Sequence, residues 1–395
     1  PFVRAVPTIQ EDGSTMLPFI NVYDFGAVGN GHADDTDAFK KALSISEKTG
    51  QTIYLAPGTF LVGELEVPPQ VCIKADKTWG FRQPHIGKTV LVQRDEKQNC
   101  VLNVTHATGS TLCGFSVYGN DIPGGCSGIR SDKIKEKPED VMWIDTCRVS
   151  NFTGCALDIS RAFCISIRHS MLAFCEGDGL RFHGWDAFLN DNFFSFNRGW
   201  GFAVKGEGAS ITFLGNRVEW NTTGGISIPV GSHYQLVGNY IDRSGGPALA
   251  IGPADETQPP VHTVACTGNI FYRSGRDTDD RVSQVLLQNC AGVSFTGNVI
   301  CCGSDDRLLG RVTPDCGITV RNLCNSIVSQ NTLYAGAVVQ CVNDLGGHFN
   351  TDVSHNPGVA MNTADLQEKA FLDRSHRRLL DVKERYETWK GGAGL

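Results

Sequence analysis

Residues 187–244, AFLNDNFFSFNRGWGFAVKGEGASITFLGNRVEWNTTGGISIPVGSHYQLVGNYIDRS, carry one short phrase three times. Asn192, Asn216 and Asn239 each follow an alternating apolar run (AFLND, ITFLG, YQLVG) and precede another (FFSFN, RVEWN, YIDRS). The same arrangement returns at Asn269, Asn298 and Asn331, at successive intervals of 24, 23, 30, 29 and 33 residues. Two residues after each asparagine stand Phe194, Val218, Ile241, Phe271, Ile300 and Leu333; three residues before it stand Leu189, Phe213, Leu236, Cys266, Phe295 and Val328. All are apolar. A period of roughly 23 residues holding short strands is one coil of a parallel β-helix. Period-2 alternation then turns position +2 inward and positions +1 and +3 outward. The recurring Asn suits a corner where amides hydrogen-bond from coil to coil, as in stacked sheets. The repeat continues more faintly upstream through Cys147–Ile167 and His169–Leu180, so the expected solenoid spans residues 71–360. A leucine-rich solenoid lacks support, because its Leu-x-x-Leu-x-Leu signature is missing.

Composition agrees with an all-β solenoid. Glycine stands at 45 of 395 residues, above the usual share of about 7%, as many tight turns require. Apolar residues at 41% can fill a core, and no run of about eighteen apolar residues offers a membrane span. A net charge of −7 argues against a nucleic-acid partner. The 15 cysteines have no regular spacing, and Cys266, Cys301 and Cys316 sit in apolar runs, so buried reduced thiols are expected. Unpaired thiols slightly favour a cytoplasmic location; the sequons at Asn103, Asn151 and Asn221 point weakly to secretion. The chain opens on Pro1 with no visible leader, as after removal of a leader or of an initiator Met. No cysteine–histidine group has zinc spacing, and neither a metal nor another cofactor is expected.

The ends differ from the middle. Residues 1–70 read as a cap of strand, helix and strand, with Asp35 or Thr36 closing the helix N-terminus and Phe39, Leu43 and Ile45 facing inward. Capping also accounts for Asp34, Asp35 and Asp37 better than a metal does. The strings DFGAVGNGHADDTDAF (24–39) and IYLAPGTF (53–60) resemble the N-terminal cap of the pectate-lyase-3-like (glycoside hydrolase family 28-related) right-handed β-helix superfamily. With the coils, the resemblance covers most of residues 20–360. It implies a right-handed single-stranded parallel β-helix and a carbohydrate-related role, since members include polysaccharide lyases, glycosidases, uronate epimerases and phage tailspikes. The HGWD coil at 183–186 is loosely similar to one in inulin fructotransferases, from which no residue is carried over. MWID at 142–145 is similar to a pectate-lyase signature, but Thr146 replaces its His. The polygalacturonase motifs are missing. Residues 361–395 read as a charged helical tail covering the open solenoid end.

Position +3 carries the candidate chemistry. It reads Ser195, Glu219, Asp242, Tyr272, Cys301 and Tyr334, and position +1 reads Phe193, Arg217, Tyr240, Ile270, Val299 and Thr332. Glu219 and Asp242 thus fall on successive coils, about 4.8 Å apart at the backbone. Stacked carboxylates repel, so one pKa should rise, and an acid paired with an ionised partner is what glycoside hydrolysis uses. Glu219, beside Trp220, is the expected acid, and Asp242, beside Tyr240 and Arg243, the expected base or nucleophile. Asp178, Arg181, His183, Trp185, Asp186, Asp191, Lys205, Arg217, Trp220, Tyr240, Arg243 and Tyr272 are the expected substrate-binding set, with Trp185, Trp220 and Tyr240 offering faces to sugar rings. Asp191 stands where later coils have Gly215, Gly238, Gly268 and Gly297.

The leading functional expectation is a carbohydrate-active enzyme that cleaves or transfers glycosyl groups of an oligo- or polysaccharide. The alternatives are an eliminating lyase on a uronate polymer, which would add Ca²⁺ near Asp178 and Asp186, and a non-catalytic tailspike-like glycan binder. The superfamily resemblance and the polar tail imply a homotrimer. Light scattering should therefore give about three times the 42.8 kDa of one chain; a monomer mass at micromolar concentration would exclude this assembly.

Overall fold

The computed structural model describes residues 8–9, 15–16, 19–82, 85–132, 139–277, 281–306, 309–358 and 360. The tail expected over residues 361–395 lies outside them. The chain winds into a parallel β-helix whose coils contribute to a 12-stranded and a 23-stranded sheet. One coil shows the plan: Phe193–Ser195 lies in the smaller sheet, and Trp200–Val204 and Ala209–Leu214 lie in the larger. The next coil then begins at Arg217.

The expected register is present. Phe194, Val218, Ile241, Phe271, Ile300 and Leu333 pair coil to coil in one line. Each is at most 1% exposed. Inside, Phe213 lies against Phe194 at 5.4 Å and Phe202 at 5.2 Å between centroids. The asparagines form the expected column and extend it to Asn356. Each rung repeats the same bonds. The Asn216 N–H donates to Asn239 Oδ1 at 2.8 Å, while Asn239 Nδ2 donates to Phe213 O and Asn269 Oδ1, both at 2.9 Å. A shorter ladder at the opposite corner joins Cys175, Asn197 and Asn221. Buried corner amides are thereby satisfied without water.

The residue before each rung is left-handed: φ is 56° at Asp191 and 64–67° at Gly215, Gly238, Gly268 and Gly297. Asp191 therefore takes the same turn as the glycines, at the strain a Cβ brings there. Strands upstream of residue 71 already belong to the solenoid sheets: Asn30–Asp34 and Gly58–Val62 pair at one end of the smaller sheet.

The helix Thr36–Thr49 buries Ala38, Phe39, Ala42 and Leu43, with Ile45 half-buried against the core. Its capping differs from the expectation. Asp35 occupies the N-cap without bonding the helix; its carboxylate accepts from the Val28 and Gly29 amides at 2.6 and 3.1 Å, closing the glycine turn instead. Asp34 accepts from the Thr36 amide at 3.0 Å. None of the 15 cysteines is in a disulfide, and all are buried or half-buried.

Asn239→Ala removes the acceptor of a buried amide and a donor to a buried carbonyl. Unmet buried groups cost about 1–3 kcal/mol each, so urea unfolding should show a loss of about 3 kcal/mol or more. Gln235→Ala, on the exposed face of the same coil, should stay within about 0.5 kcal/mol.

Candidate active site

Two insertions leave one window open on the outer face of the smaller sheet. On one side, residues 75–82 and 85–88 strap across strands Arg148–Ser150 and Met171–Ala173. Trp79 packs with Met171 and Ala173, and its Nε1 donates to Thr146 O at 2.8 Å. The fully buried Arg148 donates from Nη1 to Gly80 O and Phe81 O at 2.5 and 3.2 Å, pinning the strap. Phe81 stands edge-on to Phe193 and Phe196. On the other side, strands Gly303–Asp305 and Leu309–Thr313 form an antiparallel hairpin. Tyr272 Oη donates to Ser304 O at 3.4 Å, and the buried Arg273 donates to Arg311 O at 3.0 Å.

Between strap and hairpin lie Arg217–Glu219 and Tyr240–Asp242, with Glu219 opposite Asp242 and Asp242 opposite Tyr272. The two carboxylates differ in surroundings. Glu219, its side chain 12% exposed, accepts from Arg217 Nη1 at 2.7 Å. That guanidinium is 53% exposed and lies 4.7 Å over the Tyr240 ring. Asp242 is 5% exposed. Its Oδ2 accepts from Arg243 Nη1, while its Oδ1 is buried with no hydrogen-bond partner. Burial pushes the Asp242 carboxyl up to about 7; Arg243 opposes the shift, and Glu219 and then Asp306 add to it. Burial also raises Tyr240, and takes Tyr272 up to about 12. Uncompensated desolvation wins over one contact with a shared guanidinium.

Burial therefore favours a proton on Asp242, whereas the sequence expectation takes Glu219 as the acid. Trp220 was to desolvate Glu219, but φ of 59° places it in a corner stack. Phe174, Phe196 and Trp220 lie parallel at 5.1 and 5.9 Å, and Arg243 and Arg276 sit 5.3 and 5.0 Å over the Trp220 ring. The same stack corrects Trp220 as a sugar platform, because its ring packs against neighbours.

Of the expected site residues, Arg217, Glu219, Trp220, Tyr240, Asp242, Arg243 and Tyr272 come together. The others do not join them. Asp178 is 7% exposed and accepts from the Trp200 amide at 2.8 Å and from Arg181 Nε at 3.1 Å, a structural corner. Arg181, His183 and Trp185 lie on the larger sheet, Trp185 stacked on Phe163 at 4.7 Å, with Asp186 at the corner that follows and Lys205 just past the neighbouring strand. Asp191 occupies the corner before the asparagine ladder, its Oδ2 3.8 Å from His169 Nε2. Asp178 and Asp186, the residues of the calcium alternative, lie at different corners, Asp178 bonded to Arg181 and the Trp200 amide. Among the described residues no three His, Cys, Asp or Glu side chains converge as metal ligands.

Sequence reasoning missed Asp306, Arg276 and the strap. The interval of 33 residues after Asn298 held a signal, being about ten longer than a plain coil and so requiring an insertion.

A family model for rhamnogalacturonase A/epimerase, pectate lyase-like, matches residues 19–72. A 99-residue segment is 32% identical to mannuronan C5-epimerase AlgE1 of Azotobacter vinelandii, spanning 25% of this chain and only 7% of that protein. Among solved structures, the A-module of Azotobacter vinelandii mannuronan C-5 epimerase AlgE6 aligns with TM-score 0.63 and 17% identity, over 87% of this chain and all of that one. The enzymatically active domain of bacteriophage CBA120 tailspike protein 2 gives 0.67 and 14%, over 89% and 54%. The DFA-IIIase of Arthrobacter chlorophenolicus A6 gives 0.61 and 14%, over 85% and 93%. At these identities the likeness is one of fold.

The Asp242 assignment has a stability signature. Its native pKa lies above the unfolded value of about 3.9, so the native state holds a proton that the unfolded chain releases between about pH 4 and pH 7. Stability must fall as pH rises through that window. Relative to Asp242→Asn, the wild type should lose about 2–4 kcal/mol of unfolding free energy between pH 4 and pH 8. Parallel curves in urea would remove the raised pKa.

Proposed function

We infer, from a right-handed parallel β-helix whose residues 19–72 match a pectate lyase-like family model and which carries Asp242 beside Glu219, a carbohydrate-active enzyme that cleaves or transfers glycosyl groups by acid/base chemistry. The observation that carries this reading is the contrast between the two carboxyls. Asp242 is desolvated with one oxygen unpartnered, whereas Glu219 is ion-paired with Arg217 at the rim. Two titratable groups in contrasting surroundings divide into acid and base.

In the proposed reaction the Asp242 O–H bond breaks as its proton passes to the leaving glycosidic oxygen, and the bond from that oxygen to the anomeric carbon breaks. Glu219 either attacks that carbon or takes the proton of the hydroxyl that attacks it. Arg217 orients the Glu219 carboxylate. Tyr240 and Tyr272 border the two carboxyls and can hydrogen-bond sugar hydroxyls. The strap and the hairpin restrict water, which strengthens charge interactions between them.

A second reading has one observation in its favour: the half-exposed Arg217 at the rim is placed to pair with a sugar carboxylate. That suits elimination or epimerisation of a uronate, and the relatives named above include mannuronan epimerases.

Mass analysis of products from a panel of neutral and uronate oligosaccharides separates these readings. Hydrolysis adds one water across the products, elimination leaves an unsaturated sugar, and epimerisation leaves the mass unchanged. On the substrate so found, Asp242→Asn and Glu219→Gln should each lower kcat by about a hundredfold or more with folding intact. Gln235→Ala, on the other sheet, should be neutral. Wild-type activity should decline above about pH 7 as Asp242 loses its proton. Binding without any product would instead support a glycan-binding protein.

A further inference from the structure

The hairpin does more than wall the window. Arg243 follows Asp242 at a left-handed corner with φ of 49°, and its guanidinium lies over Trp220 at 5.3 Å and Tyr272 at 5.1 Å. The side chain is 16% exposed, so it has little freedom to turn away. Its two ends divide between carboxylates: Nη1 donates to Asp242 Oδ2, and Nη2 donates to Asp306 Oδ1 at 2.8 Å. Asp306 directly follows the hairpin strand Gly303–Asp305 and is 80% exposed. One cation thus serves a buried carboxyl in the window and a solvated one on the hairpin.

The groups acting electrostatically on Asp242 are Arg217 and Glu219 from one neighbouring strand, Tyr240 from its own, Arg243 at the corner, Tyr272 from the other neighbour, and Asp306. Asp306 alone among them belongs to the hairpin. A guanidinium already neutralised at one end holds a second carboxylate less strongly than one free to close on it.

We propose that Asp306 is a positioning residue: by holding the far end of the Arg243 guanidinium it keeps that charge from fixing Asp242 as a carboxylate, and so leaves Asp242 able to carry the proton that the reaction donates. The inference rests on the acid role given to Asp242 above. Because the hairpin is seated by Tyr272 on Ser304 and by Arg273 on Arg311 and Asp305, the proton affinity of Asp242 follows the position of the hairpin. With the hairpin seated, the acid is loaded. With Asp306 withdrawn, the charge of Arg243 acts on Asp242 undivided and the proton is held less tightly.

The test needs no substrate. The full chain labelled with ¹³C at aspartate carboxyls is titrated by NMR, with Asp242→Asn identifying the signal. The Asp242 midpoint in the wild type should lie well above the ordinary carboxylate range. It should fall by about half a pH unit or more in Asp306→Asn and return in Asp306→Glu, with an unchanged amide spectrum showing that the fold is kept. An unmoved midpoint in Asp306→Asn overturns the coupling and leaves the acid assignment standing. A wild-type midpoint near 4 that still falls in Asp306→Asn supports the coupling and removes the acid role instead.

Discussion

Everything in this molecule hangs on a column of buried amides. From Asn192 onward, an asparagine at the corner of the coil accepts the main-chain N–H of the residue one coil earlier and donates its own amide hydrogens to a carbonyl and to the next asparagine. Such a group is expensive to bury unpaired and nearly neutral when fully paired, so the coils can stack in only one register. That register puts Glu219 beside Asp242. Loops between coils differ in length, but the rungs do not shift, because the hydrogen bonds set the position of each coil independently of the path taken between them.

On this regular support the window arises from irregular parts. The strap covers one stretch of the outer face using Trp79 and a fully buried arginine, and the hairpin covers another through Tyr272 and Arg273. Between them lie Arg217–Glu219 and Tyr240–Asp242, where Arg217 is half exposed and Asp242 buried. Insertions therefore decide which rungs of the outward column are covered and how much water reaches each. Ser195, one rung before Glu219, is fully covered, while Tyr334, three rungs beyond Asp242, is exposed.

The division between what the sequence reveals and what it hides follows the same line. Apolar alternation around Asn192, Asn216 and Asn239 is a local signal, so the fold, the inward residues and the pairing of Glu219 with Asp242 are all legible. Burial of a particular carboxyl depends on chain segments far away, so the sequence does not reveal that Asp242 is the more deeply buried of the two. Trp220 was read as the neighbour of Glu219 in sequence, yet a left-handed corner turns it into a stack with Phe196 and two arginines. Asp178 and Asp186 looked like one acidic group, but nearness in sequence says nothing about a helix of strands in which one of them closes a buried corner. Asp35 failed similarly: a capping residue was expected at the right place, and the glycine turn took its carboxylate.

The unequal spacing of the asparagines has a consequence for variation. A ladder that holds its pitch across intervals of 23 and of 33 residues treats the connecting loops as free text between fixed marks. Loop closure entropy rises only slowly with length, so lengthening or exchanging a loop costs the rod little. Descendants of such a chain can acquire new rims, new partners for Arg243 or a differently roofed rung without renegotiating the core. Diversity is cheap at the corners and nearly forbidden on the column.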